Sequence, residues 1–87
     1  MIKIKQAVIV EGKYDKIKLS TVLDTVIIQT DGFGIFKDKD KQRLIKRLAQ
    51  TRGIVILTDS DSAGFKIRSF IGGSVPKAVS YTHLTLP

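Results

Sequence analysis

Residues Gly53–Gly64 read GIVILTDSDSAG, an apolar run that stops at two aspartates spaced one residue apart. Ile54, Val55, Ile56 and Leu57 are aliphatic without alternation, the pattern of a strand buried on both faces of a parallel sheet. Asp59 and Asp61 fall where the chain leaves that strand. Open α/β sheets bind ligands in the crevice beyond the carboxyl ends of their strands, so acids placed there are candidates for chemistry. Ala7–Lys13, AVIVEGK, repeats the design with Glu11 as its first polar residue. Two strands are therefore expected to end in acid.

The segments between and around these strands supply the crossovers. Met1–Lys5 alternates apolar and basic residues and is expected to extend the first strand or lie along its edge. Gly12 suits a tight or left-handed turn after Glu11. Tyr14–Leu23 reads as a helix with Ile17, Val22 and Leu23 on one face and Asp15 placed to cap its start. Thr25–Gln29 is a second apolar strand, and the glycines on either side of Phe33 read as an ordinary turn, because the full glycine pattern of a phosphate loop is missing. Asp38–Gln50 is the clearest helix, with Leu44, Ile45, Leu48 and Ala49 forming the buried stripe. Its other face carries Lys39, Lys41, Arg43, Lys46 and Arg47, a basic surface open to solvent or to phosphate. Gly53 closes that helix and opens the third strand. Ser62–Ile71 follows as a third helix, with Gly72 and Gly73 as its stop. The order β-α-β-α-β-α predicts an α/β fold, a parallel sheet with right-handed crossovers and helices on both faces.

The last residues break the pattern. Val75–Ala78 would lead into a fourth strand, but Ser80–Pro87, SYTHLTLP, has neither a helical nor a strand period. Val79–Pro87 resembles the translated adapter sequence found at the ends of truncated reading frames. The expected organisation is one domain over 1–78, truncated before or in its fourth strand, followed by a non-native tail over 79–87 in which His83 carries no function.

Size and composition bound the rest. A chain of 87 residues holds one small domain, and 43% hydrophobic with 26% charged residues is the make-up of a globular protein. Fifteen Lys and Arg against eight Asp and Glu leave a net charge of +7, which favours a polyanionic partner such as nucleic acid. The chain has no cysteine, so disulfides and thiolate metal sites play no part. No apolar run approaches the roughly 20 residues of a membrane span, and Met1–Gln6 lacks a signal-peptide core, so a cytoplasmic protein without membrane contact is expected.

Glu11, Asp59 and Asp61 converge at one edge if strands one and three are neighbours. Magnesium takes oxygen ligands and commonly only one or two carboxylates, which an Asp-x-Asp pair supplies. A nearby glutamate can then move a proton on or off the reacting oxygen, and metal with acid makes phosphoryl transfer plausible. Each acid also has a purely structural role open to it. Asp61 can cap the following helix, Asp59 can be a turn residue, and Glu11 can pair with Lys13 or a helix N-terminus. One shared site accounts for all three more economically.

Val8–Lys13 (VIVEGK) together with Ile56–Gly64 (ILTDSDSAG) resembles the Toprim domain, shared by bacterial primases, type IA and type II topoisomerases and small nucleases. The resemblance runs from Lys3 to about Ile71. It implies a Rossmann-like parallel sheet, Glu11 as general acid and base, and Asp59 and Asp61 as magnesium ligands, with Glu11 a further candidate ligand. The early glutamate, the compact spacing and Phe65-Lys66-Ile67-Arg68 are most similar to the ribonucleases of 5S ribosomal RNA maturation, the ribonuclease M-five family. That likeness implies a magnesium-dependent endoribonuclease with water as nucleophile. Its expected partners are a structured rRNA precursor and a ribosomal protein, with Lys13, Lys46, Arg47, Lys66 and Arg68 on the nucleic acid. The alternatives are a primase or topoisomerase fragment, since Asp-Ser-Asp-Ser-Ala-Gly is closer to primase wording, or a non-catalytic nucleic-acid-binding α/β domain.

Overall fold

The computed structural model of the chain describes residues 1–58, 62–74 and 81–85. Its centre is a four-stranded sheet of Ala7–Val10 (β2), Ile27–Gln29 (β4), Ile54–Thr58 (β5) and Tyr81–Thr85 (β6), in the order β4-β2-β5-β6. Every pairing is parallel. A parallel pair cannot be closed by a tight turn, so each link crosses a face of the sheet. The links hold helices Lys13–Ser20 (α1), Lys39–Thr51 (α2) and Ser62–Ser74 (α3). A right-handed crossover reverses its face when the chain reverses direction across the sheet. The step from β2 to β4 runs one way and the steps to β5 and β6 run the other, which puts α1 on one face and α2 with α3 on the other.

The core records that division. Ala7, Ile9, Ile54 and Ile56 pack with Ile45 and Ala49 of α2 and Ile67 and Ile71 of α3. Val8 and Val10 point the other way and meet Leu19 of α1, Ile27 and Leu57. Strand β2 is buried along its whole length because it lies in the middle of the sheet with helices on both faces. β5 departs from the two-face burial expected of it: Ile54, Ile56 and Thr58 are buried, while Val55 and Leu57 are half-buried. On that second face α1 packs over β4 and the Leu23–Asp24 segment rather than over β5.

Helix α2 follows its sequence closely. The Asp38 side chain accepts a hydrogen bond from the Lys41 amide at 3.0 Å, capping the first turn. Gly53, at φ 79°, takes the left-handed conformation that ends the helix and turns straight into β5. Ile45 and Ala49 are buried and Leu48 is half-buried, but Leu44 is 44% exposed, so the buried stripe is narrower than its spacing predicted.

Other elements depart from expectation. Helix α1 stops at Ser20, and Leu23–Asp24 (β3) pairs in parallel with Ile2–Lys3 (β1) in a separate two-stranded sheet. The amino-terminal segment therefore has its own partner instead of prolonging β2. Ile17 and Val22 are about half exposed, and no residue of α1 is fully buried. Asp15 lies in the first turn of α1, whose N-cap is Gly12 without a side-chain bond, so Asp15 acts on the helix through charge alone. Gly12 itself is extended, at φ −139°. The left-handed residues are Asp31 and Gly32, both at φ 60°, where the turn after β4 winds into a 3-10 helix over Gly32–Phe36. Gly72 and Gly73 lie inside α3 and neither has a positive φ, so they do not stop it. Tyr81–Thr85 forms a strand despite its lack of period, through backbone pairing with the open edge of β5, from Ile54 opposite Tyr81 to Thr58 opposite Thr85. Val75–Ala78, read as a lead into a fourth strand, lies outside the described residues.

Candidate active site

In a parallel sheet all strands end at one edge, and here the ends are level. Val10 of β2 stands opposite Gln29 of β4 on one side and Leu57 of β5 on the other. The next residues, Glu11, Thr30 and Thr58, the last of β5, therefore stand side by side at that edge. Asp59 follows Thr58 in the chain; Asp59 and Asp61 themselves lie outside the described residues.

The backbone at Glu11 is held from the β4 side. Its carbonyl accepts hydrogen bonds from the Gly32 amide at 3.1 Å and from the Thr30 hydroxyl at 3.3 Å, while the Thr30 amide donates to the Val10 carbonyl at 2.8 Å. Glu11 is half-buried, and its backbone leads through the Gly12 cap into α1, at the positive end of that helix dipole. The β5 side is fixed by α3. Thr58 is buried, and its hydroxyl oxygen accepts a hydrogen bond from the Arg68 guanidinium. Arg68 thus braces the strand end from which the Asp-x-Asp pair departs.

The basic residues read from the sequence separate into two groups. Lys13 and Arg68 belong to this edge, through the start of α1 and the end of β5, and Lys66 is exposed on α3 one turn after its start. Lys46 and Arg47 are exposed on α2, about 10 Å along the axis from its first residue at 1.5 Å per residue. Lys46 joins Lys39, Gln42 and Arg43 in lining a shallow groove. A larger cleft of about 440 Å³ runs beside β4, lined by Lys16, Gln29, Asp38, Asp40, Lys41 and Leu44. It does not include Glu11, and its lining mixes both signs of charge.

One strand-end acid went unread as a partner of the edge. Asp31 follows β4, where its Asp-Gly wording signalled only a turn. Its carboxylate accepts from Lys41 Nζ at 2.9 Å and from the Gln29 amide nitrogen. The bond from Lys41, then that from Gln29, hold its pKa below the ordinary 3.8. Asp31 is thereby committed to tying the turn to α2.

Among the described residues no three His, Cys, Asp or Glu side chains gather to hold a metal ion. The all-oxygen set of Glu11, Asp59 and Asp61 suits a hard divalent cation in its chemistry. None of the helices among the described residues is long and apolar enough to cross a membrane.

The chain is similar to known proteins over most of its length. The family model of the Toprim domain matches residues 5–85. Ribonuclease M5 of Bacillus subtilis (strain 168) is 39% identical over 74 residues, covering 85% of this chain and 39% of the relative. Ribonuclease M5 of Lactococcus lactis subsp. lactis is 41% identical over 76 residues, 87% of this chain and 36% of the relative. Ribonuclease M5 of Mycoplasma capricolum subsp. capricolum is 45% identical over 73 residues, 82% of this chain and 39% of the relative. The chain thus spans about two-fifths of the length of these relatives. With the family model matched over nearly its whole length and a parallel α/β sheet to fit it, the chain belongs to the Toprim-domain family.

Proposed function

We propose that this chain is the catalytic Toprim domain of a magnesium-dependent endoribonuclease that cuts a 5S ribosomal RNA precursor in the cytoplasm. The observation that carries the reading is the register of β2 against β5, which delivers Glu11 and Thr58, the residue before Asp59, to the same edge. The name of the relatives, Ribonuclease M5, supports an RNA substrate. So does the net charge of +7. The ribosomal protein expected from the resemblance has no counterpart in the fold or in those names, and the proposal is confined to RNA.

In this reading Asp59 and Asp61 hold the ion, which when bound supplies charge stabilisation at the phosphoryl oxygens and a more acidic water. Glu11 moves the proton at the reacting oxygen. Its backbone is pinned by Gly32 and Thr30, so the carboxyl group starts from a fixed point. Lys13 and Lys66 serve the phosphates nearest the cut, Lys46 and Arg47 serve RNA passing along α2, and Arg68 holds the end of β5 through Thr58.

The test is the cleavage rate of a 5S precursor against magnesium concentration. Glu11→Gln keeps size and hydrogen bonding but removes the titratable group, so it should lose about 100- to 10,000-fold without rescue by magnesium. Asp61→Asn weakens the hold on the ion and should be partly rescued. RNA binding should survive both changes, because affinity rests on lysine and arginine contacts to phosphate. Equal rescue of the two variants makes Glu11 a ligand. Undiminished cleavage by both removes the Toprim mechanism, and RNA binding without any cleavage leaves the non-catalytic binding domain.

A further inference from the structure

We propose that Phe33 is a stacking platform for an unpaired nucleobase of the RNA, set beside the strand ends that carry the candidate catalytic acids. The inference rests on the RNA reading above and adds what part of the RNA the edge selects.

Phe33 is 50% exposed, yet its ring is not loose. It stacks on Phe36 with centroids 5.5 Å apart and planes 24° from parallel. Phe36 in turn meets Phe70 of α3 edge-on at 4.7 Å and 87°. Phe36 and Phe70 both pack against the main core, so the ladder of rings is anchored at its inner end and open at Phe33. Tyr14 and Phe65 are also exposed, at 86% and 62%, but neither has a ring partner of this kind among the described residues.

The turn beneath the ring is fixed from three sides. The Gly32 amide bonds the Glu11 carbonyl, which ties the residue before Phe33 to the candidate general acid. Asp31 is held by Lys41 and Gln29. The Gln42 side-chain amide donates to the Ile35 carbonyl at 2.8 Å. A ring already fixed in place loses little freedom when a ligand stacks on it. Exposed cations flank the turn, Lys37 as its cap, Lys39 at the start of α2 and Lys13 two residues after Glu11, while the nearby Asp31 is engaged by Lys41 and Asp38 by the cap of α2.

These features fit an unpaired base. Aromatic side chains stack on bases splayed from single-stranded loops and bulges, whose faces are accessible, whereas a duplex buries those faces within its own stack. A nucleotide held on Phe33 would place its neighbouring phosphate toward the Glu11 edge, so the platform would favour cutting next to an unpaired position.

The experiment measures affinity of the chain for two labelled RNA stems, identical except that one carries a single-nucleotide bulge. The chain has no tryptophan, so Phe33→Trp makes a lone reporter whose emission a stacked base changes. The wild type should prefer the bulged stem. Phe33→Ala should lose about 5- to 150-fold on that stem and little on the paired one. Phe33→Trp should keep the preference, with quenched emission on the bulged RNA only. Unchanged affinity of Phe33→Ala for the bulged stem, or an equal loss on both stems, overturns the inference while leaving the RNA reading in place. If Phe33→Ala fails to fold, the tryptophan variant decides, and emission blind to the bulge overturns the platform. A wild type that binds neither stem removes the RNA reading itself.

Discussion

Arg68 stands between two roles that make different predictions. Its sequence context offered a phosphate contact, but the structure turns its guanidinium onto the buried hydroxyl of Thr58 at the end of β5. A hydrogen bond to a charged group contributes about 1.5–3 kcal/mol. Arg68→Met and Thr58→Val, each removing one partner with little change in shape, should each cost about that much. In a domain of 87 residues this lowers the melting temperature by about 6–24 °C, at roughly 4–8 °C per kcal/mol. The double variant should cost little more than either single change, giving a coupling of about 1.5–3 kcal/mol. Thermal and urea unfolding of the four proteins measure it.

The same set separates bracing from phosphate binding. If Arg68 acts through Thr58, the salt dependence of RNA affinity is the same for Arg68→Met and the wild type. If it contacts phosphate, the slope of log affinity against log salt falls by about 0.7–0.9. Additive single variants with a reduced slope would refute the bracing role, and with it the argument that α3 fixes the point from which the Asp59–Asp61 segment departs.

Charge reversal of both Lys46 and Arg47, exposed on α2, should weaken RNA binding and reduce the salt slope by about 1.4–1.8, with cleavage at saturating RNA unchanged. Asp31→Asn tests the ion pair with Lys41 at a left-handed position that both residues tolerate. Because the folded pKa is lowered, the wild-type advantage is present above the ordinary 3.8 and is lost as pH falls through the lower folded value. That advantage is small, since the Asp31 side chain is about half exposed to solvent, and melting temperatures at neutral and strongly acidic pH should show it shrinking. Parallel pairing of β6 with β5 predicts slowed amide exchange over Tyr81–Thr85. Exchange at the rate of an unfolded chain would refute the strand and favour a foreign origin for 79–87.

The fold was legible because its decisive signals are local and strong. Uninterrupted aliphatic runs at Ala7–Val10 and Ile54–Leu57, separated by crossovers of the right length, leave a parallel sheet as the economical arrangement. Helix α2 announced itself by its apolar spacing and closing glycine together. What failed depended on neighbours. Nothing local says that Leu23–Asp24 leaves a helix to pair with Ile2–Lys3, since that contact spans twenty residues of chain. The half-burial of Val55 and Leu57 reflects where α1 lies, not any property of β5. Nor does Tyr81–Thr85 carry a period, because the free edge of β5 supplies backbone partners to any extended segment that reaches it.

The candidate site was legible as chemistry and illegible as support. Carboxylates just beyond apolar runs make Glu11, Asp59 and Asp61 the candidates from residue type and position alone, and the strand register brings Glu11 level with the residue before Asp59. The groups that hold this edge are hidden in ordinary positions: Thr30 and Gly32 act through backbone geometry, and Arg68 reaches ten residues back to Thr58. Asp31 read as a turn because Asp-Gly is a turn signal, and it is one, but the same left-handed backbone lets its carboxylate bind Lys41 of α2. That bond and the Gly32–Glu11 bond are adjacent along the chain. The turn after β4 therefore links α2, the aromatic ladder and the candidate general acid, so a substitution in any one of them should register at the other two. Loss of Lys41 would loosen Asp31, and through Gly32 both the Phe33 ring and the Glu11 backbone, so Lys41→Met should weaken the bulge preference and cleavage together. A basic residue that only met phosphate would change binding and leave the rate at saturating RNA alone.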